Sequence, residues 1–208
     1  MVNFHDPAFR IILDYCGVAV FAVTGALAAA RRKYDIVTLA FFAAITGIGG
    51  GTLRDLLIGA PVFWVQDAGY IAVCIAAAGA VWAVGVKAWR MNALLWLDAV
   101  GLAAYSVVGA SKAASYGLSP LVAVVMGVLT ASFGGIVRDV LGGEPSVLLR
   151  KEIYVTAALV GATLFVVLRL VGLPDLWAGV IGALVAFLIR GGALRFGWTL
   201  PGFPSSET

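Results

Sequence analysis

The chain has 208 residues, of which 62% are hydrophobic and only 12% charged, with a formal net charge of +3 and a mean hydropathy of +1.03. A water-soluble surface needs about twice that charge, so the composition excludes a soluble globular domain and describes an all-α integral membrane protein. The small basic excess sits mostly in short connections, where the retention of Lys and Arg on the cytoplasmic side accounts for it without nucleic acid as a partner.

Apolar stretches near the roughly 20 residues that cross a bilayer predict seven transmembrane helices, at 11–30, 36–57, 69–86, 93–111, 118–141, 153–171 and 173–189. The first is followed at once by Arg31, Arg32 and Lys33, which hold that end in the cytoplasm, so Ala26-Leu27-Ala28 is read as mature helix and not as a cleavage site. An odd number of spans puts the termini on opposite sides. With the amino terminus outside, Arg31, Arg32, Lys33, Lys87, Arg90, Arg138, Arg150, Lys151, Arg190 and Arg195 are cytoplasmic, against Arg10, Arg54, Lys112 and Arg169 toward the outer side. That balance predicts a cell inner membrane protein, multi-pass, with its carboxy terminus in the cytoplasm.

Residues 14 to 70 recur without a gap as residues 98 to 154, with 17 identities in 57 aligned positions. The identities fall on Gly, Pro, Asp and Arg, where a shared apolar bias does not produce them. Each repeat holds three spans, so the second starts on the opposite side of the membrane and the two are inverted copies. The predicted organisation is a single membrane domain over residues 1–208: repeat one at about 11–86, repeat two at about 93–171, and a seventh helix at about 173–189 outside the symmetry.

Gly49-Gly50-Gly51-Thr52-Leu53-Arg54-Asp55 in the second span is echoed by Phe133-Gly134-Gly135-Ile136-Val137-Arg138-Asp139 in the fifth. Consecutive glycines cost a helix about 1 kcal/mol each relative to alanine, and predict a kink or an unwound turn. The alternative is close helix packing, which small residues also permit. Unwound backbone at mid-membrane depth must line water or be buried in protein. Freed carbonyls, with the hydroxyls of Thr46, Thr52, Thr130 and Ser132, suit a monovalent cation, whereas half-helix amino ends suit an anion or a substrate carboxylate. The glycine motif alone leaves a channel and an amino-acid carrier both open.

Arg54 and Arg138 stand three residues beyond each glycine run. Unpaired in hydrocarbon, each would cost at least about 2.5 to 3.5 kcal/mol, so a carboxylate or water must be near. By depth, Asp14 is expected beside Arg54 and Asp98 beside Arg138. Asp55 and Asp139 point about 100° away around the helix and are expected to face the pathway; the alternative is that these charge pairs only clamp the halves together. Lys112 takes the place of Ala28 in the other repeat. It reads either as a lysine snorkelling at the outer mouth or as a gating charge.

The remaining signals are structural. Cys16 and Cys74 lie in apolar spans and read as packed thiols, and the single histidine, His5, has no cluster with metal-ligand spacing, so neither a metal nor a cofactor is implied. Nor is there a nucleophile motif, and the chain does not read as an enzyme. Trp64, Trp89, Trp96, Trp177 and Trp198 fall near span ends as an interfacial belt. Ala178, Gly182 and Ala186 form a small-residue stripe on the last helix, and Pro201 to Thr208 reads as a short tail.

On the two glycine-Arg-Asp motifs, the second continuing to Gly143-Glu144-Pro145, the chain resembles the prokaryotic branch of the trimeric intracellular cation channel family. The resemblance covers nearly the whole chain. It implies a homotrimer with one pore per subunit, lined by the kinked second and fifth helices and conducting monovalent cations, mainly potassium. It places Gly49, Gly50, Gly51, Gly134 and Gly135 at the narrow middle, with Thr52, Ser132, Asp55 and Asp139 as polar lining. Phe133 stands where the first copy has Gly49, so the second break is expected to be shorter. Animal members are associated with a phosphoinositide bound near the subunit interface, for which this sequence has no matching basic cluster to carry over; membrane lipids are expected as partners, and a specific lipid role stays open. The same bacterial domain is also linked to glycine uptake, which resembles the carrier alternative.

Overall fold

The computed structural model describes residues 7–89, 92–147 and 153–201. Of the features named above, His5, Arg90, Arg150, Lys151 and the end of the tail lie outside the described residues. The described chain forms α1 (Pro7–Arg31), α2 (Ile36–Leu57), a short α3 (Phe63–Gln66), α4 (Gly69–Val84), a 3-10 turn (Val86–Ala88), α5 (Ala93–Ser115), α6 (Pro120–Leu141), α7 (Val155–Leu170) and α8 (Asp175–Phe196).

Five of these helices are long and apolar enough to cross a membrane, while α4 and α7 have 16 residues each. At 1.5 Å per residue those two reach about 24 Å, short of a hydrocarbon core of about 30 Å. They occupy equivalent places in the repeats, so the shortening is itself duplicated. Local chemistry sets the helix starts. Asp35 caps α2, its Oδ1 accepting from the Thr38 amide at 2.9 Å and its Oδ2 from the Thr38 hydroxyl at 3.0 Å; these bonds hold its carboxyl below the usual carboxylate range. Ser119 and Pro120 open α6, with proline at the first turn. The last helix runs past the predicted end at 189 to Phe196 because the charge that marked that end, Arg190, is buried.

Helix contacts recur in exchanged pairs. A Cβ on Gly17 would enter the Tyr105 ring and one on Gly101 the Phe21 ring; one on Gly50 would strike the Thr130 carbonyl and one on Gly134 the Thr46 carbonyl. Positions 17 and 101, 21 and 105, 46 and 130, and 50 and 134 are equivalent in the duplication. Each contact therefore occurs twice with its roles swapped, across α1 against α5 and α2 against α6. Outside the repeats, Ala178, Gly182 and Ala186 are buried, and Gly182 and Ala186 press on Gly161 of α7. Cys74 is packed against Gly47, whereas Cys16 faces outward from the bundle; its position on the α1 surface, not its apolar neighbours in sequence, decides its exposure.

Candidate functional site

The glycine runs sit where α2 crosses α6. The unwound turn that the glycines allow does not occur: α2 is helical from Ile36 to Leu57 and α6 from Pro120 to Leu141, through Gly49, Gly50, Gly51, Gly134 and Gly135. The physical reason is contact. With no Cβ, Gly50 and Gly134 let each helix lie on a carbonyl of the other, and that close packing offsets the low helix propensity of glycine without unwinding. Gly49 approaches the Gly134 Cα, with 3.8 Å to an added Cβ. The remaining two glycines make room for side chains: a Cβ on Gly51 would meet the Phe63 ring at 2.6 Å, and one on Gly135 the Tyr154 hydroxyl at 2.9 Å.

Hydroxyls flank the crossing. Thr52, Thr130 and Ser132 donate to the carbonyls of Ile48, Met126 and Val128 at 2.7, 2.6 and 2.7 Å. Their protons are thereby directed back into the helix, which leaves the oxygen lone pairs facing away from it. Thr52 also accepts from Trp64 Nε1 at 2.9 Å. Trp64 is thus a clasp from α3 onto α2 as well as an aromatic near a span end. A groove of about 470 Å³ lies beside the crossing, lined by Gly49, Thr52, Trp64 and Phe133 together with exposed apolar residues such as Phe41 and Leu56.

At each end of the crossing is a buried Arg-Asp cluster, and the two share a common core. Arg54 Nε donates to Asp55 Oδ1 at 2.7 Å, and Arg138 Nε to Asp139 Oδ1 at 2.9 Å. The second oxygens cap the chain that follows: Asp55 Oδ2 accepts from the Phe63 amide and Asp139 Oδ2 from the Val147 amide, both at 3.1 Å. Both aspartates are buried, each fastened to its own arginine and its own loop. The two clusters then diverge. Arg138 Nη1 also donates to Asp98 Oδ1 at 2.7 Å and to the Thr24 hydroxyl at 3.0 Å, which realises the expected Asp98 pair. In the other cluster Lys112 Nζ forms an ion pair with Asp55 Oδ1 at 2.8 Å. The lysine reaches inward to a carboxylate and does not snorkel outward: Asp55, wholly buried, holds it by an ion pair inside the bundle. The Asp14 carbonyl accepts from the Tyr105 hydroxyl at 3.0 Å.

The substitution of Ala28 by Lys112 in the duplication has a spatial consequence. Ala28 lines a cavity of about 280 Å³ that leads to Arg138 and Asp139, with Arg31, Arg32 and Glu144 at its mouth. Arg32 Nη2 and Glu144 Oε1 are 2.6 Å apart across that mouth, and both side chains are exposed. At the other cluster the equivalent space receives the Lys112 side chain, and the equivalents of Arg32 and Glu144 are Tyr116 and Ala60. Near the same end, Tyr15 donates to Asp67 Oδ2 at 2.6 Å, which holds the Asp67 carboxyl below its usual range.

Sequence reasoning missed α3 and the burial of Arg190, which was counted only as a cytoplasmic charge. A pattern signal for the second existed, since an arginine inside an apolar helix needs a partner.

Comparison with known proteins agrees with the duplication. A family model described as Glycine transporter matches residues 11–85 and again 95–169. A UPF0126 membrane protein of Vibrio cholerae is 39% identical over 204 residues, which are 95% of this chain and 84% of the relative. The UPF0126 inner membrane protein YadS of Escherichia coli K12 is 37% identical over 199 residues, 94% of this chain and 96% of the relative. Among solved structures, the orthologue of the TRIC trimeric intracellular cation channel from Rhodobacter sphaeroides superposes with a TM-score of 0.88 at 46% identity, covering 92% of this chain and all of that one. A prokaryotic TRIC channel solved in 0.5 M KCl gives 0.84 at 28% identity, covering 93% and 99%.

Proposed function

The chain belongs to the prokaryotic branch of the trimeric intracellular cation channel family, and on that premise we propose that it is a passive, potassium-permeable channel of the cell inner membrane. It works as a homotrimer with one pathway in each subunit. Seven helices cross, the short α4 and α7 with local thinning of the bilayer around them, the amino terminus lies outside, and the two three-helix repeats are inverted copies. The exchanged glycine contacts and the double match of one family model support that arrangement.

The pathway runs along the α2 and α6 crossing, between the outer cluster of Arg54, Asp55 and Lys112 and the inner cluster of Arg138, Asp139 and Asp98. Each arginine is neutralised by a carboxylate, which removes the repulsion an unpaired guanidinium would exert on a cation. Thr52 and Ser132 present hydroxyl oxygens whose protons are already bound to the helix, an environment that replaces part of a monovalent cation's hydration shell. The glycines keep the two helices thin at the narrowest point and give the backbone freedom to hinge there when the pathway opens.

The observation that carries this reading is the contrast between the two ends. A cavity reaches the inner Arg-Asp pair, while Lys112 sits on the outer one. Lys112 is the gate: bound to Asp55 it blocks the outer end, and its withdrawal uncovers a carboxylate at the entrance. A charge moving through the whole membrane field gains about 2.3 kcal/mol per 100 mV, so even part of that path makes the gate voltage-sensitive.

Single-channel currents in planar bilayers with symmetrical KCl and no amino acid are the expected result, with Lys112→Met shifting the voltage dependence. The description of the matching family model favours a glycine carrier as the second reading. Saturable glycine uptake into proteoliposomes without such currents would overturn the channel in its favour.

A further inference from the structure

Helix α3 has four residues, too few to hold a helix together unaided, and it is fastened on two sides. Behind it, the Phe63 ring meets Tyr70 of α4 edge-on at 4.7 Å, and Tyr70 stacks on Tyr15 of α1 at 4.2 Å. Tyr15 in turn donates to Asp67, the residue that follows α3, at 2.6 Å. Tyr70 is buried, so the aromatic stack roots α3 in two helices of the bundle. In front, two successive residues of α3 grip a single stretch of α2. The Phe63 amide donates to Asp55 Oδ2 at 3.1 Å, the Phe63 ring fills the space that a Cβ on Gly51 would need, and Trp64 Nε1 donates to the Thr52 hydroxyl at 2.9 Å. Trp64 and Thr52 belong to the wall of the apolar groove beside the crossing, where an indole N–H has to find its acceptor within the protein.

The stretch so gripped, Gly51 to Asp55, follows Gly49 and Gly50, which leave it free to hinge, and it carries the outer carboxylate. Asp55 Oδ1 takes both Arg54 Nε at 2.7 Å and Lys112 Nζ at 2.8 Å. The inner copy has the amide cap without the indole bond. Val147, the equivalent of Phe63, donates its amide to Asp139 Oδ2, but Leu148 and Ile136 stand where the first copy has Trp64 and Thr52. The space at Gly135 is met there by the Tyr154 hydroxyl. The indole-hydroxyl pair thus belongs to the outer half, the half whose carboxylate holds a lysine.

We propose that Trp64 is a positioning residue of the outer gate: through Thr52 it pins the turn from Gly51 to Asp55 onto α3, so that the Asp55 carboxylate stays aimed at Lys112 and the closed state persists. The assignment rests on the reading of Lys112 as the gate. Thr52 passes the restraint on, since its own proton goes to the Ile48 carbonyl at 2.7 Å, which ties the gripped turn to the turn before it. With the indole bond cut, α2 is free to rotate at the glycines, and the carboxylate meets the lysine less often.

The test is the closed time of single channels in planar bilayers with symmetrical KCl at a fixed voltage. Trp64→Phe keeps a ring and removes the donor; Thr52→Val removes the acceptor and keeps the shape. The readout is the closed time and not the conductance, because Thr52 also lines the proposed pathway. Loss of one hydrogen bond is expected to shorten closed times roughly threefold in either variant, and by no more in the two combined. In Lys112→Met, where the gate contact is already gone, adding Trp64→Phe should leave closed times as they are. A purely structural clasp lowers the amount of folded channel and gives no such dependence on Lys112. Wild-type closed times in either variant, or an equal shortening with and without Lys112, overturn the proposal. Where Trp64→Phe does not fold, Thr52→Val with and without Lys112→Met decides by the same criteria. Closed times unaltered by Lys112→Met alone overturn the gate and this assignment with it, and a silent wild type overturns the channel reading itself.

Discussion

The outer and inner clusters use the same Arg-Asp pair and the same aspartate-capped loop, yet one is completed by a lysine on a flexible stem and the other by a second aspartate and a threonine. In the inner cluster Arg138 is held by Asp139, Asp98 and Thr24. The position equivalent to Thr24 in the other repeat is Val108, which offers no oxygen, and the charge that completes the outer cluster arrives from α5 through Lys112. The duplication thus gives one scaffold twice, and a few differing residues complete it with a second carboxylate and a threonine in one copy and with a lysine in the other.

Removing each arginine in turn probes that contrast most strongly. Arg138→Met leaves Asp98 and Asp139 buried without their guanidinium and is expected to cost about 3 to 5 kcal/mol, whereas Arg54→Met should cost roughly half as much because Lys112 still serves Asp55. Thermal unfolding of the detergent-solubilised protein, followed by size-exclusion chromatography, reads the difference; equal losses would break the comparison. Where the two halves are alike, the costs should also be alike. Gly50→Ala and Gly134→Ala each push a methyl into a carbonyl of the facing helix and should each cost about 1 to 3 kcal/mol, measured in the same way. A clear inequality between them would mean that the exchanged contacts are not equivalent.

Lys112→Met sharpens the contrast in function more than in stability. Loss of the contact with Asp55 is expected to remove about 1 kcal/mol from the closed state, or roughly fivefold in the closed-to-open ratio, read from single-channel closed times. Closed times as long as the wild type's would remove the gate. The smallest effect belongs to the inner mouth: Arg32→Ala breaks an exposed pair worth less than about 1 kcal/mol, so unfolding should barely shift, while any salt dependence of conductance contributed by that pair disappears.

The glycine runs show how far local reading extends. Glycine permits both an unwound turn and a close helix approach, and the sequence carries the same letters for either. Only the carbonyls of Thr130 and Thr46, brought from another helix, decide for close packing. Asp55 and Asp139 are expected from their spacing to face a pathway, whereas each is buried on its own arginine and caps the chain at Phe63 or Val147, which depends on how the chain turns after each helix. Asp98 and Arg138 were matched by depth alone, because two charges at one level of a bilayer have few other places to go.

By itself, the sequence determined the solvent, the order and approximate ends of the apolar helices, the duplication and the two Arg-Asp motifs. All of these follow from hydropathy and spacing along one chain. Only the tertiary structure decided that Lys112 meets Asp55, that Arg190 lies over the Tyr154 ring and that the glycine helices stay whole. Those outcomes depend on which helix faces which across the bundle, where partners distant in sequence compete for the same buried charge and the same close approach.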